Sequence, residues 1–466
     1  MNMLSCQLNR TSEIPLYEQL YLYVKNEIAE GRLEFNTKLP SKRKLSDHLQ
    51  ISQNTVESAY GQLVSEGFIE VRARKGYYVM ASEDLEYLRQ AGYQNDNKSE
   101  REIEVIKYDF HPSQIDTKSF PFRVWRKYSR DMIDEKKEKL LLMGDHRGES
   151  GLRQQIAAYL YGSRGVVCTP DQIIIGAGIE ILLQQLVLLL EENTAYGVED
   201  PGYHLIYQIL KSYGKTVNPI EIDEEGVNVE QIEHSGAQVV YVTPSHHFPY
   251  GTILSINRRM KLLNWASASE ERYIIEDDYD SEFRYSGKSI PSLQSMDNGE
   301  NIIFLGSFSK SLMPSIRISY MILPQRLMDR YQDKLSFYHS TVSRLDQQTL
   351  AKFMEAGEFE KHLNRMRKVY RSKLDTVVTV LKEYDKKIRV IGANSGLHIV
   401  LVIENGLNEE TLIEEARKSQ IRVYPLSLYS IERPAAPPKV ILGFGGIPLD
   451  ELESAIRALL KSWKIG

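Results

Sequence analysis

The stretch that decides the fold of most of the chain is IIEDDYDSEF at residues 274–283, together with GSFSKSLMPSIRISY at residues 306–320. Each includes the end of a strand-like run, and helical runs alternate with strand-like runs from about residue 106 onward. Such alternation is typical of a parallel sheet covered by helices. The sequence therefore predicts an α/β domain whose last part, from about residue 325 to residue 466, forms a smaller α+β subdomain.

A second informative stretch, LPSKRKLSDHLQISQNTVESAYGQLVSEGFIEVRARKGYYV at residues 39–79, lies near the start of the chain. Helical patterns at residues 14–30, 41–49 and 52–66 predict three helices. The segment FIEVRA, a short glycine-containing turn and the segment YYVM then predict a hairpin. Three helices and a hairpin indicate a winged helix-turn-helix domain at residues 1–80.

Residues 81–108 separate these two regions. Their first two dozen residues are polar and charged, with few large apolar side chains. Such a composition does not form a core of its own, so we expect a linker at residues 81–108 and the α/β domain at residues 109–466.

Length and charge narrow the classes of protein that the chain can represent. The chain has 466 residues, more than one ordinary hydrophobic core accommodates. Its formal net charge is −5, so the protein as a whole does not attract nucleic acid through a positive field. Any contact with DNA must therefore come from a local patch. Cys6 and Cys168 are the only cysteines, which excludes a disulfide framework. No signal peptide or membrane-spanning run is visible, so we expect a cytoplasmic protein without membrane contact. No metal site is predicted.

Basic and short polar side chains cluster where a groove-docking surface needs them. A recognition helix needs short polar side chains in its first turn, where they reach base edges and phosphates. Cations at the start of the preceding helix and in the wing can pair with the DNA backbone. A solvated charged face is the alternative interpretation of the same pattern. The candidate DNA contacts are Lys42, Arg43, Ser52, Gln53, Asn54, Thr55, Lys75 and Gly76.

Three side chains near the ends of two predicted strands match the needs of a pyridoxal-phosphate (PLP) site. Such a site requires an amine, a carboxylate for the pyridinium nitrogen, a donor for the ring hydroxyl and a phosphate cradle. Lys310 follows the strand-like run NIIFLGS and supplies the amine. Asp277 and Tyr279 lie two residues apart, so strand alternation places both on one face. The alternatives are a solvated loop lysine and an acidic strand end that caps a helix.

Hydroxyls, an arginine and a glycine turn provide the phosphate cradle. Hydroxyl and guanidinium groups bind phosphate, and so do the free N–H groups at a helix start that follows a strand. The turn Gly-Ala-Gly-Ile at residues 176–179 has that strand–turn–helix setting. The setting is what counts, because a GxG pattern by itself is weak evidence for phosphate binding. Tyr203 starts a further helix and can stack on the ring; its alternative is a buried helix aromatic. The candidate contacts in this group are Ala177, Gly178, Ile179, Tyr203, Ser307, Ser309 and Arg317.

Two resemblances to known families extend this interpretation. The order Leu-Pro-Ser-x-Arg, Leu, a Thr-Val recognition helix, Leu-x-x-x-Gly and a wing resembles the GntR-family winged helix over about 70 residues. The resemblance implies that Arg43, the residues at 52–55 and the wing Lys75-Gly76 contact double-stranded DNA. The family commonly has arginine where Gln53 stands, so one strong contact is missing.

From HPSQIDTKSFP through GLHIVLV, about 350 residues, the chain resembles the fold type I, aspartate-aminotransferase-like PLP proteins. A GntR-type winged helix before this domain is similar to the MocR subfamily, especially its GABA-responsive type. That resemblance implies a head-to-tail homodimer in which the aminotransferase-like part senses an effector. It also implies that Lys310 forms the Schiff base, that Asp277 contacts the pyridinium nitrogen and that Tyr279 contacts the ring hydroxyl. By the same resemblance Tyr203 stacks on the ring, and the other candidate cofactor contacts cradle the phosphate.

The chain departs from working aminotransferases at three places. Where they carry Asn-Pro-x-Gly, this chain has Phe-Pro-Tyr-Gly at residues 248–251, and His246 or His247 can substitute for the asparagine or pack structurally. Their Asp and Tyr are usually three residues apart rather than two. Pro437 stands where the GABA-responsive type has an arginine, and His204 and Arg433 are the candidate effector contacts in its place.

We therefore predict a PLP-dependent transcription regulator that binds DNA and exchanges an amine or amino-acid effector at Lys310. The missing asparagine and arginine favour sensing over turnover. Two other interpretations stay open: a catalytically active aminotransferase with a DNA-binding arm, and a sensor of the PLP level itself. The second alternative predicts that loaded and empty protein differ on DNA without any added amine.

Overall fold

The computed structural model describes residues 6–12, 14–80, 105–287, 289–297, 300–431 and 437–465. Two compact units are present, one within residues 1–103 and the other within residues 104–466. Most of the predicted linker, residues 81–104, lies outside the described residues.

The first unit packs three helices against a hairpin. Its elements are α1 (Leu16–Ala29), α2 (Lys42–Leu49), α3 (Gln53–Ser65), β1 (Ile69–Arg72) and β2 (Gly76–Val79). Leu20, Val24 and Leu63 are fully buried between the helices, as the helical spacing of apolar residues predicts. The side chains of Ser41 and Ser52 accept N–H bonds from the first turns of α2 and α3, which fixes where both helices begin.

The second unit is built on an eight-stranded sheet with the order β4-β11-β10-β9-β8-β5-β6-β7. Strands β5, β6, β8, β9 and β10 pair in parallel, whereas β11 and β7 run antiparallel to their neighbours. The chain enters this unit at β3 (Tyr108–Asp109), and the sheet strands are β4 (Ile173–Gly176), β5 (Ala195–Asp200), β6 (Thr216–Asp223), β7 (Gly226–Val227), β8 (Val239–Val242), β9 (Tyr273–Asp278), β10 (Ile302–Ser307) and β11 (Ser319–Ile322).

Helices cover this sheet. They are α4 (Phe122–Met132), α5 (Ser150–Arg164), α6 (Ile179–Leu189), α7 (His204–Ser212), α8 (Val229–Ser235), α9 (Ile256–Ser267), α10 (Phe308–Ser311), α11 (Gln325–Leu335), α12 (Arg344–Glu355) and α13 (Glu358–Lys382). Short 3₁₀ turns are Glu135–Leu141, Pro170–Gln172, Gln294–Met296, Pro314–Ile316 and Leu426–Tyr429. Among the described residues, no helix is both long and apolar enough to cross a membrane.

A second, four-stranded antiparallel sheet has the order β12-β13-β16-β15. The elements of this last part are β12 (Ile388–Ile391), β13 (His398–Ile403), α14 (Glu409–Lys418), β14 (Ile421–Arg422), β15 (Tyr424–Pro425), β16 (Lys439–Gly443) and α15 (Leu449–Ser462). Strand β14 pairs in parallel with β3, so residues 108 and 109 are already part of this unit.

The parallel strands explain where polar side chains collect. Strands β8 and β10 are buried throughout, and so is β9 up to its last residue, as expected for strands covered on both faces. Parallel strands end at one edge of a sheet, and ligands of open α/β sheets bind outside that edge. Thr243, Asp277 and Ser307 follow or end these three strands and therefore meet there.

Candidate functional site

A cavity of about 340 Å³ opens at the carboxyl edge of the large sheet. Nine of the ten predicted cofactor contacts line it; the tenth, Ala177, lies beside it and donates its N–H to Thr341 Oγ1 at 2.9 Å. The residues that line the cavity are His111, Pro112, Ser113, Gly178, Ile179, Glu180, Tyr203, Thr243, Phe248, Asp277, Tyr279, Ser307, Ser309, Lys310, Pro314, Arg317, Ser319 and Tyr429.

Lys310 reaches the cavity from the short helix α10. Its Nζ donates to the carbonyl oxygen of Pro112. Burial lowers the pKa of Lys310 to about 8, and the nearby Asp280 carboxylate limits that drop. This amine is therefore mostly uncharged and nucleophilic above about pH 8, well below the range of an exposed lysine.

Asp277 lies at the end of β9 with one carboxylate oxygen unsatisfied. Tyr241, on the neighbouring strand β8, donates its hydroxyl to Oδ2, while Oδ1 is buried without a partner among the described residues. Burial raises the pKa of Asp277 to about 7, against the opposing effect of the Tyr241 bond. A buried acceptor of this kind requires a donor to be satisfied, and the protonated ring nitrogen of PLP fits it.

Tyr279 and two neighbours form a chain of polar contacts beside Asp277. His246 Nδ1 lies 2.8 Å from Asp280 Oδ1 and 3.0 Å from the Tyr279 hydroxyl oxygen. His247 points elsewhere: its Nε2 lies 3.7 Å from Glu199 Oε2, and burial lowers the pKa of His247 to about 3. Of the two histidines that the sequence offered, His246 is the one that contacts a residue lining the cavity.

The phosphate end of the cavity combines hydroxyls with one arginine. The hydroxyl oxygens of Ser309 and Ser319 each lie 3.0 Å from the Ser307 hydroxyl oxygen. Arg317 donates to the Glu180 carboxylate and, at 3.4 Å, to the carbonyl oxygen of Ala177. Hydroxyls, a guanidinium and the start of helix α6 are groups that bind phosphate, so this end fits the cofactor as well.

Aromatic rings form the remaining wall. The Phe248 ring centroid lies 5.9 Å from that of Tyr203 and 5.0 Å from that of Tyr429. The ring at position 248 therefore lines the cavity where working aminotransferases place an amide. Tyr203 is 38% exposed, which leaves its face open to a ligand.

Of the two candidate effector contacts, the structure describes His204 alone. His204 lines a separate, much smaller cavity with Glu199 and Tyr241 rather than the main one. Arg433 lies outside the described residues. In the part of the chain that is described, Lys310 and Arg317 are the only lysine and arginine that line the main cavity.

Sequence reasoning missed several residues of the cavity. Thr243 and Tyr429 are examples; Thr243 donates its hydroxyl to Glu199 Oε2 at 2.6 Å. Thr243 follows directly after β8, so a prediction of strand order would have found it. Tyr429 comes from a 3₁₀ turn of the smaller subdomain and has no local signal.

The predicted DNA-binding residues lie on α2, on the first turn of α3 and in the wing. Ser52 Oγ accepts the Thr55 N–H at 3.1 Å and lies 2.8 Å from Thr55 Oγ1, so these two hydroxyls are engaged in capping. Gln53 and Asn54 are exposed on the same turn, which leaves them free to reach a groove.

The cations near the recognition helix differ in how they are engaged. Lys42 Nζ lies 2.7 Å from Glu57 Oε1 of α3. Arg43 and the wing residue Lys75 are exposed, and Gly76 adopts a φ of 106°, which glycine tolerates best. One of the predicted DNA contacts, Lys42, is therefore already paired with a carboxylate of α3.

Comparison with known proteins now identifies both units. Residues 16–79 match the gntR family of bacterial regulatory proteins, and residues 111–458 match aminotransferase class I and II. The chain is 45% identical over 463 residues to the uncharacterized HTH-type transcriptional regulator YdeL of Bacillus subtilis, covering 98% of this chain and 99% of YdeL. It is 30% identical over 474 residues to the probable rhizopine catabolism regulatory protein MocR of Rhizobium meliloti, covering 97% and 94%. The chain belongs to the MocR subfamily of GntR-type transcription regulators.

A further relative of this MocR-type regulator is the HTH-type pyridoxine biosynthesis transcriptional regulator PdxR of Corynebacterium glutamicum, 28% identical over 460 residues, with 98% of each chain covered. Among solved structures, the second unit resembles kynurenine aminotransferase of Pyrococcus horikoshii, in complex with PMP, with a TM-score of 0.69 and 25% identity over 78% of this chain and 92% of that one. An archaeal alanine:glyoxylate aminotransferase gives a TM-score of 0.70 at 21% identity, over 78% and 91%.

These matches confirm the predicted fold class: a winged helix followed by a fold type I, aminotransferase-like domain. They also confirm that the chain is a transcription regulator. The class I and II fold implies dependence on PLP, and the GntR domain implies DNA binding.

Proposed function

We propose that this regulator holds PLP in the main cavity at Lys310, and that an amine or amino-acid effector entering there changes how the winged helix binds its operator. The observation that carries the proposal is that Lys310 and Asp277 line one cavity, and that Asp277 Oδ1 has no partner among the described residues. An amine that is partly uncharged and a carboxylate with one oxygen left to accept a hydrogen bond are the two groups that PLP requires most.

The other cavity residues have defined roles in this proposal. Ser307, Ser309 and Arg317 bind the phosphate, assisted by the backbone at residues 177–179, and Tyr203 lies against the ring. Tyr279 donates to the ring oxygen. When bound, PLP supplies an electrophilic carbon and an electron sink. The protein's part is to hold a proton between Asp277 and the ring nitrogen and to orient the ring.

The coupling to DNA requires an effector that binds one arrangement of the protein better than another. We infer a head-to-tail homodimer with winged-helix heads at residues 1–80, linkers that follow residue 80, and sensor domains that include β3 and run to residue 466. Two recognition helices then contact two half-sites, whose spacing follows from the dimer. A regulator of chromosomal operators acts where the DNA is, which places it in the cytoplasm.

A second function, sensing of the PLP level, is favoured by one observation. The relative PdxR carries a name that refers to pyridoxine biosynthesis, and it aligns over 98% of each chain. In that case PLP itself is the signal, and loaded and empty protein differ on DNA without an amine.

The visible absorption spectrum of purified protein tests the proposal. PLP should produce a band that Lys310→Ala lacks, and one member of a panel of amino acids and simple amines should then shift it without forming a keto acid or an aldehyde. Simple amines belong in the panel because the described cavity offers few cations for a carboxylate. Sustained product formation would instead identify an enzyme, and no band after PLP addition would remove the cofactor assignment.

A further inference from the structure

Two polar groups, one buried and one half-buried, meet at a single ring nitrogen of the buried His246 beside the cavity. His246 Nδ1 lies 2.8 Å from Asp280 Oδ1 and 3.0 Å from the hydroxyl oxygen of Tyr279. His246 and Asp280 are 3% and 1% exposed, so the contact between these two residues is shielded from solvent. Since one nitrogen cannot donate and accept a hydrogen at once, the protonation of Nδ1 decides what Tyr279 does.

Asp280 determines that protonation. Although burial opposes it, the neighbouring His246 holds the pKa of Asp280 below its usual value, so the carboxylate is ionised and only accepts. The hydrogen between the two residues must therefore belong to Nδ1. Burial raises the pKa of Tyr279 well above its usual value, so the phenol keeps its proton. Tyr279 cannot donate to an N–H, and its hydrogen is left for an acceptor in the cavity.

Packing keeps the His246 ring in this position. A Cβ on Gly396 would overlap Cε1 of His246 and lie 2.7 Å from Asp280 Oδ2. A Cβ on Gly251 would lie 3.0 Å from Nε2 of the same ring. Two glycines thus leave the space that the imidazole fills, and the ring has little room to rotate away.

The titratable groups that face this cluster from other elements include Glu199 of β5, His398 of β13 and Lys310 of α10, and burial together with the Glu199 carboxylate raises the pKa of Tyr279. His398 of β13 has its ring centroid 5.5 Å from that of His246, and its Nε2 lies 3.0 Å from the Pro249 carbonyl oxygen. Burial lowers the pKa of His398 to about 3, so it is neutral and donates to that carbonyl. Lys310 of α10 contributes a positive charge that also favours the ionised form of Asp280.

We propose that His246, fixed by Asp280, is a positioning residue that keeps Tyr279 as a hydrogen-bond donor toward the ring oxygen of PLP. The inference rests on the proposed PLP site. Where working aminotransferases carry the asparagine of Asn-Pro-x-Gly, this chain has Phe248, so Tyr279 is the donor that remains, and the contact of its hydroxyl with His246 keeps it a donor.

The test is the pH titration of the visible band in full-length, PLP-loaded protein. Tyr279→Phe and His246→Gln should each raise the midpoint by about one pH unit, because a ring oxygen that loses a donor holds its own proton more tightly. The double variant should shift no further than either single variant, since both remove one hydrogen bond. His246→Asn, whose amide nitrogen falls near the position of Nδ1, should restore most of the wild-type midpoint.

Two controls separate positioning from a general effect on the fold. His247→Gln changes the adjacent histidine, which does not contact Tyr279, and should leave the midpoint unchanged. Asp280→Leu, of nearly the same shape, removes the acceptor that fixes the hydrogen on Nδ1, and should shift the midpoint as His246→Gln does. If circular dichroism shows that His246→Gln does not fold, the Asp280 variant takes its place in the test.

Two results of these titrations would overturn the positioning role of His246. A wild-type midpoint in both His246→Gln and Asp280→Leu, with a shifted one in Tyr279→Phe, overturns the positioning role and leaves the PLP site intact. Additive shifts in the Tyr279–His246 double variant also overturn it, because the two residues then act independently. Absence of a band in the wild type removes the proposed function and this inference with it.

Discussion

Arg317 occupies the space that a side chain at Gly178 would need: a Cβ on Gly178 would overlap Nη2 of Arg317 and lie 2.5 Å from Glu180 Oε2. Gly178 also has a φ of 108°, which L side chains rarely adopt. Glycine here therefore lets the guanidinium lie against the start of helix α6, where it donates to Glu180 and to the Ala177 carbonyl oxygen and where the helix dipole favours an anion.

The first prediction follows from that overlap. Gly178→Ala should weaken PLP binding by more than about tenfold, because the new methyl group displaces Arg317 from the phosphate end and strains the turn. Titration of apoprotein with PLP, followed by the visible band, measures the loss. Gly214→Ala is the matched control: Gly214 also has a positive φ of 69°, but nothing lies within 4 Å of its Cβ position. Equal losses in the two variants would show that strain, not displacement of Arg317, is responsible.

The second prediction concerns the protonation of Lys310. Its pKa is lowered to about 8, so the amine is charged and unreactive below that pH and free above it. The rate constant for band formation on mixing PLP with apoprotein should rise with pH and level off above about pH 8. Stopped-flow absorbance across pH 6 to 10 measures the profile. A rate that still climbs at pH 10, as for a solvent-exposed lysine, would contradict the buried environment described for this amine.

The third prediction concerns the contact between Lys42 and Glu57 on the DNA-binding unit. Glu57→Gln should tighten binding to a random-sequence DNA duplex a few-fold at low salt, because it frees Lys42 and removes a negative charge from the recognition helix. Fluorescence anisotropy over a salt series measures both the affinity and its slope, which should steepen by at most about one charge.

The control for this prediction is the double variant Lys42→Gln with Glu57→Gln. It removes the cation that the single variant releases, so most of the gain in affinity should disappear. If the double variant keeps the full gain, the effect comes from the lost negative charge alone, and Lys42 does not contact phosphate.

The sequence predicted the large sheet and the side chains at its edge because both depend on local pattern. Asp277, Ser307 and Lys310 come at or just after the ends of strands, and parallel strands must end at one edge. Asp277 and Tyr279 are two residues apart, which is a departure from working aminotransferases. Both side chains still line one cavity, because β9 ends at Asp278 and Tyr279 comes just after the end of the strand.

What the sequence did not predict depends on contacts between distant segments. Tyr429 and His111 reach the cavity from the smaller subdomain and from the segment after β3, and no local periodicity indicates this approach. The choice between His246 and His247 could not be made from the sequence, because the two differ only in which way the loop turns their side chains. The contact of His246 with Asp280, 34 positions away, decides it.

The measurement that tests the central claim most directly is operator affinity of wild-type and Lys310→Ala protein, each with and without PLP and the amine that shifts the visible band. We predict that the wild type changes its affinity on addition of PLP and amine, while the variant binds DNA as the untreated wild type does and shows no response. An unchanged response in Lys310→Ala would contradict the claim that effector sensing passes through this lysine.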